Sequence, residues 1–268
     1  MFTVSIYIKE NEITAALFDA NYSEVARRSA ACEISCMSAA SLCKELLSGC
    51  KVNAEDVSCV SVATPNDCTP TALEEQLKIK CVRIEPTQAR ALGEAFLAGD
   101  KDFFIVLKIY DTVKSGVVID KKIIDSDLGQ MVIDHGGYSH TDGRNGNFES
   151  YVCREGFARI CAEAGVENAE SVTPPKLFSR NDAAANAAKE RYIHHIAAAL
   201  TNVINLFQPN GLIVDAFFTE AGDALIDGVM DIVLREQYSR TMKNKCTVEF
   251  TCGEKDTVVL LGAALRCR

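Results

Sequence analysis

The chain has 268 residues, 48% hydrophobic and 24% charged, which fits a globular protein with a sizeable core and one large or two ordinary domains. Its 28 Lys and Arg against 37 Asp and Glu leave a formal charge of −9. That balance argues against a nucleic-acid backbone as the main partner, because such a partner needs a cationic face to displace counterions.

The chain opens with a hairpin pattern, strand-like at Phe2–Ile8 and Ile13–Phe18 around the polar run Lys9-Glu10-Asn11-Glu12. A third strand is predicted at Glu24–Glu33 and a helix at Ser38–Leu47 to Ser48. Strand Val57–Ala63, helix Thr71–Leu77, strand Val82–Ile84 and helix Thr87–Ala98 follow. The polar run Gly99-Asp100-Lys101-Asp102 is the expected hinge. Strands then recur at Phe103–Ile109, Val113–Ile119 and Ile123–Ile124, with a helix at Phe148–Ala164. The longest helix is predicted from Asp182 to Phe207, where Ala188, Ile193, Ile196, Leu200, Val203, Ile204 and Phe207 keep helical spacing. Asn181 or Asp182 can cap its start, and Pro209 stops it. Strand Leu212–Val214, helix Ala221–Glu236, strand Thr247–Thr251 and helix Val258–Leu265 complete the pattern. Each half is a three-strand meander followed by alternating helices and strands, which implies two similar α/β lobes facing a cleft.

Twelve cysteines, at 32, 36, 43, 50, 59, 68, 81, 153, 161, 246, 252 and 267, include no C-x-x-C pair, so neither a zinc ribbon nor a thioredoxin-type site is signalled. Cys36, Cys43 and Cys50 share one helix face, and Cys59 lies in an apolar strand, so these thiols read as small core hydrophobes. The start Met-Phe-Thr-Val-Ser-Ile lacks a basic n-region, and no run approaches the ~20 apolar residues of a membrane span. The expectation is a cytoplasmic protein with reduced thiols and no membrane partner. No G-x-x-x-x-G-K-[ST], G-x-G-x-x-G or G-x-S-x-G motif is present. Of the four histidines, His194 and His195 sit in the long helix, one toward solvent and one packed. His135 and His140 sit in the Gly- and Asp-rich segment 134–147, which reads as a solvated loop.

The C-terminal third carries Ile196-Ala-Ala-Ala-Leu-Thr-Asn-Val-Ile-Asn-Leu-Phe-Gln-Pro209, Gly211-Leu-Ile-Val-Asp215 and Leu261-Gly262-Ala263-Ala264. With Ala91-Leu-Gly-Glu94, Gly116-Val-Val-Ile-Asp-Lys-Lys122, and Gly143-Arg-Asn-Gly146 before Phe148-Glu149 and Tyr151, this order resembles the ROK family of bacterial sugar kinases and repressors. The resemblance implies a ribonuclease H-like, actin/hexokinase-type fold of two lobes around a cleft. The implied lobes are 1–99, with a C-terminal helix of about 256–268 packing on the first, and 100–255.

The positions that the family uses for chemistry differ here. Its first phosphate loop, "D-I-G-G-T", reads Tyr7-Ile8-Lys9-Glu10-Asn11; its second, "G-T-G-I-G-G-G", reads Tyr110-Asp111-Thr112-Val113-Lys114-Ser115-Gly116; its third, "G-G-G", reads Asp215-Ala216-Phe217-Phe218. Glycine lets backbone N–H groups approach phosphate, whereas these side chains obstruct it and Glu10, Asp111 and Asp215 repel it. The family's general base falls on Pro86, with Glu85 in the preceding Asn position. A one-residue shift makes Glu85 a substitute base; otherwise it is a solvated strand-end acid before a Pro-initiated helix. The family's zinc set of one His and three Cys falls on Gln130, His140, Asp142 and Asn147, so zinc is not expected. Glu149 and Asp127 match sugar-contacting glutamates, and with Gln130 and Glu85 they form the expected ligand set. Glu149 as a cap of the helix near Phe148 is the competing reading.

The resemblance therefore implies a catalytically inactive, sugar-kinase-like protein that binds a sugar-like small molecule or a regulatory partner and forms a homodimer, with no direct nucleic-acid contact. The alternative is a divergent glucokinase-like enzyme using ATP and Mg, with Glu85 or Asp111 as base and Lys9 or Lys114 as phosphate cations. A third reading is a structural protein whose nucleotide pocket is filled by Phe217 or Phe218.

Overall fold

A computed structural model describes residues 1–65, 70–99, 103–140, 142–237, 246–253 and 255–267. Strands β1 (Phe2–Ile8) and β2 (Glu12–Phe18) are apolar enough to be buried from their second residue onward. They form an antiparallel hairpin closed by the Lys9 N–H on the Glu12 carbonyl at 2.9 Å. β3 (Glu24–Ala31) is an edge strand and stops before the expected Glu33. Helix α1 spans Cys36–Cys50, longer at both ends than expected, because the Ser35 hydroxyl caps the Ser38 N–H at 3.0 Å. Then come β4 (Val57–Ala63), α2 (Pro70–Leu77), β5 (Cys81–Ile84) and α3 (Pro86–Leu97). Cys68 and residues 100–102 of the expected hinge lie outside the described residues.

The second series is β6 (Phe103–Ile109), β7 (Val113–Ile119), β8 (Lys122–Ile124), α4 (Glu149–Val152), α5 (Arg154–Glu163), α6 (Pro174–Phe178), α7 (Ala183–Phe207), β9 (Gly211–Ala216), α8 (Asp223–Glu236), β10 (Thr247–Thr251) and α9 (Asp256–Leu265). Three of these correct the sequence reading. The single helix expected at Phe148–Ala164 is two, because Cys153 adopts an extended backbone (φ −68°, ψ 172°) and the Arg154 N–H goes to the Tyr110 carbonyl at 2.9 Å. Helix α8 starts at Asp223: residues Phe217–Ala221 form a 3-10 turn, and Gly222, at φ +79°, separates the two. Helix α6 was not anticipated, although its prolines at the first helical positions are a helix-start signal. The Asp182 carboxylate caps α7 through the Ala185 N–H at 2.9 Å, and Gln208 turns left-handed ahead of Pro209.

The strand order is β3-β2-β1-β4-β5 in one sheet and β10-β9-β6-β7-β8 in the other. Read from the meander, both have the same order, third-second-first-fourth-fifth, so the duplication expected from the sequence is present. In each, the first strand of the series lies parallel to the fourth and the fourth to the fifth. The chain separates into two units, Met1–Asp102 with Gly116–Ile124 and Glu254–Arg268, and Phe103–Ser115 with Asp125–Gly253. The core of the first lies under α1 and α2 (Val4, Ile6, Leu17, Leu46, Val60, Leu73). On the other face, α3 and α9 meet at two glycines: a Cβ on Gly93 would sit 2.3 Å from the Val258 carbonyl oxygen, and one on Gly262 1.7 Å from that of Ala89.

Candidate functional site

Within the second unit a cavity of about 160 Å³ is lined by Asp111, Thr112, Ser139, His140, Glu149, Ser150, Cys153, Glu155, Gly156 and Arg159. The break at Cys153 shapes it, since it places the ends of α4 and α5 side by side. Gly156 permits the approach, because a Cβ there would lie 2.5 Å from the Ser150 carbonyl oxygen.

Glu149 is the most constrained acid in this cavity. Its Oε2 accepts the Val113 N–H at 2.6 Å, and its Oε1 meets His140 Nε2 at 2.9 Å. His140 Nδ1 lies 2.9 Å from Asp142 Oδ1, and Arg144 donates to Asp142 Oδ2 from Nε at 2.9 Å. The two carboxylates, Glu149 first, raise the His140 pKa above its ordinary value. Arg144 holds the Asp142 carboxyl well below the usual range. Glu149 is thus the first residue of α4 but bonds to β7 and His140 instead of capping that helix.

The segment 132–147 is held by its own bonds. Bridges pair Val132 with Asn147 and Ser139 with Asn145. Gly146, at φ +73°, packs so closely that a Cβ would lie 1.6 Å from the Asp134 carbonyl oxygen. Of the positions matched to the zinc set, Asn147 Nδ2 donates to Gln130 Oε1 at 2.9 Å and Asn147 Oδ1 accepts from Ser150 N at 3.1 Å, while His140 and Asp142 bond each other. Two amides, one carboxylate and one imidazole, with no thiolate and already satisfied by one another, do not fit a zinc centre. Among the described residues no group of three His, Cys, Asp or Glu is placed to hold a metal ion.

The segments matched to the second and third phosphate loops join through side chains. Tyr110 Oη donates to Asp215 Oδ1 at 3.0 Å, and the Gly253 N–H donates to the same oxygen at 3.0 Å. Asp215 is 1% exposed. Burial beside this carboxylate pushes the Tyr110 hydroxyl well above its usual pKa. The Arg154 guanidinium stacks 4.6 Å from the Phe217 ring and pairs with Asp111 at 3.4 Å. Phe217 and Phe218 are buried against Phe157 and Tyr192.

In the first unit, Lys9 Nζ bonds Asp256 at 2.6 Å, and Glu85 caps α3 by accepting the Thr87 and Gln88 N–H groups at 2.7 and 3.1 Å. The structure thus gathers Glu149, His140 and Asp111 in one cavity. Asp127 and Gln130 lie outside its lining, and Lys114, Glu10 and Asn11 are not part of it. His194 is exposed, and His195 packs against Tyr151 at 4.0 Å between ring centroids. Sequence reasoning missed Arg154, Arg159 and Cys153; it set Tyr110 at the first glycine of the matched loop pattern but gave it no partner.

A model of the ROK family matches residues 62–266. A glucokinase of Halalkalibacterium halodurans is 27% identical over 58% of this chain and 54% of its own length, so the match spans about half of that relative. A ROK hexokinase from Thermus thermophilus superposes with a TM-score of 0.80 at 17% identity, covering 99% of this chain and 97% of that one. A ROK family transcriptional regulator, a homologue of the E. coli MLC protein, superposes with a TM-score of 0.74 at 14% identity, covering 99% and 78%. Among the described residues no helix is long and apolar enough to cross a membrane.

Proposed function

The chain belongs to the ROK family, and we propose that it is a member that has kept a small-molecule site and given up phosphoryl transfer. Its fold is that of the family's sugar kinases and regulators. The observation that carries the reading is the bond from Tyr110 to the buried Asp215, which joins the two segments where the family's pattern has glycine-rich phosphate loops. An aromatic ring and a carboxylate replace backbone N–H groups there, so anionic phosphate meets bulk and like charge. Lys9, the cation nearest the first loop's frame, is paired with Asp256.

On this reading the ligand is sugar-like, held by the polar lining around Glu149, Ser139, Ser150 and Arg159, with Glu149 oriented by His140. Neither zinc nor ATP and Mg is required. The protein works in the cytoplasm as a binding or regulatory homodimer without direct nucleic-acid contact. The alternative of a divergent ATP-dependent sugar kinase takes its support from the kinase relatives. It needs a base, for which Glu85 or Asp111 would serve.

One experiment separates them. Purified protein is given Mg-ATP and a panel of hexoses and amino sugars, with Tm and ADP release both followed. We expect a sugar to raise Tm, Glu149→Gln to remove that shift, and ADP release to stay at background. ADP release above background that vanishes in Glu85→Ala would overturn the proposal in favour of the kinase. A cleft that answers to no sugar would favour the structural reading.

A further inference from the structure

Beside this cavity, four side chains from separate parts of the second unit stack on one another. The Arg159 guanidinium of α5 lies 4.8 Å from the Tyr138 ring centroid, and Tyr138 stacks on Tyr151 of α4 at 4.6 Å. Tyr151 in turn meets His195 of α7 at 4.0 Å. The Tyr138 hydroxyl donates to Glu163 Oε2 at 2.6 Å and accepts from Arg191 at 3.0 Å. The Tyr151 hydroxyl accepts the Tyr138 N–H at 3.1 Å and donates to Asp134 Oδ2 at 2.9 Å, so it grips the segment 132–147 at two points. Gly137 allows this approach, because a Cβ there would overlap that hydroxyl. Tyr138 stands one residue from Ser139 and two from His140, both in the cavity lining, and Arg159 lines the cavity as well. The Tyr138 carbonyl accepts the Gly146 N–H at 2.8 Å, and the His140 N–H goes to the Arg144 carbonyl at 2.7 Å.

We propose that Tyr138, Tyr151 and His195 are positioning residues whose stack holds Ser139 and His140 against the cavity, in a segment where the zinc-matched side chains do not fit the ion. Tyr151 and His195 stand on helices, so the segment takes its place from rigid elements. Aromatic pairs contribute beyond their buried area, and a guanidinium over a ring adds electrostatic attraction. Removing the His195 ring uncovers one face of Tyr151 and frees it to tilt away from Asp134 and the Tyr138 N–H. His140 then loses its fixed place between Glu149 and Asp142, now 2.9 Å from each. Ser139 and His140 serve a ligand only if the cavity is a sugar site, so the functional half rests on that reading; the stack does not.

The test follows the full chain by NMR through the His140 imidazole resonances and the amide exchange of His140 and Gly146. In the parent, His140 should titrate above the ~6.5 of a free imidazole. In His195→Ala that value should fall toward the ordinary one, and both amides should exchange about 2- to 12-fold faster, the worth of one ring pair. His195→Phe keeps a ring and should restore both readouts, and His194→Ala, on the exposed side of α7, should match the parent. Tyr138→Leu breaks the stack from the loop side, a second variant in case His195→Ala does not fold. With D-glucose as the probe, the parent's Tm shift should shrink in His195→Ala and return in His195→Phe. A parent that answers to no sugar, while its His140 titration still falls in His195→Ala, would uphold the stack and overturn the sugar reading alone. An unchanged His140 titration and unchanged amide exchange in whichever of His195→Ala and Tyr138→Leu folds would overturn the proposal.

Discussion

At the scale of single residues, His140 sets the behaviour of the cavity. Its imidazolium sits between Glu149 and Asp142, so its folded pKa lies above the ~6.5 of a free imidazole. The stability this contributes is complete below about pH 6.5 and is lost as pH rises through the raised folded value. Urea unfolding of the parent and His140→Gln should therefore differ most on the acid side and converge toward alkaline pH. His195 acts with the opposite sign. Burial lowers its pKa, so charging it costs stability as pH falls below about 6.5, and His195→Phe should reduce that acid sensitivity. Asp215 is a third residue with a measurable role. Replacing it by Ala leaves the Gly253 N–H and the Tyr110 hydroxyl without this acceptor. A loss of about 1–3 kcal/mol is expected by denaturant unfolding. An Asp215→Ala protein of unchanged stability would mean the link contributes nothing.

At the scale of elements, α3 and α9 illustrate how packing selects residue type. Gly93 and Gly262 let the two helices approach backbone to backbone, and a methyl at Gly262 would overlap the Ala89 carbonyl. Gly262→Ala should destabilise the chain by about 1–3 kcal/mol or more, seen as a lower Tm, although alanine is the better helix former. Glu85 at the start of α3 is a milder case. Glu85→Ala removes a cap on two N–H groups and should cost about 1 kcal/mol in thermal unfolding, independent of any ligand. The boundaries of these elements were largely legible: the apolar alternation of β1 and β2, the Asp182 cap and Pro209 stop of α7, and the Pro86 start of α3 are local signals. The break at Cys153 was not, because its cause is the carbonyl of Tyr110, far away in sequence. Periodicity records which face is buried but not where a distant acceptor takes an N–H from the helix.

At the scale of the molecule, the two sheets repeat one strand order, a duplication that the sequence shows as two meanders each followed by helix-strand alternation. The loop matched to a metal site is closed instead by an amide pair, a histidine between carboxylates and glycine turns. Dialysis against a chelator should therefore leave Tm unchanged, and elemental analysis should find no stoichiometric zinc. A chelator-dependent fall in Tm would contradict this account.

The sequence by itself determined the α/β class, the duplicated order and the family, because these rest on local hydrophobic period, turn residues and motif order. It also marked Lys9, Glu10, Asp111, Asp215, His140 and Asp142 as positions that differ from the motifs the chain resembles. Only the tertiary structure decided what those residues do: which carboxylate holds His140, that Tyr110 reaches Asp215, and that Lys9 meets Asp256. The physical reason is range. Helix and strand propensities act over a few neighbours, whereas a hydrogen bond or ion pair depends on angstrom distances between residues that only folding brings together.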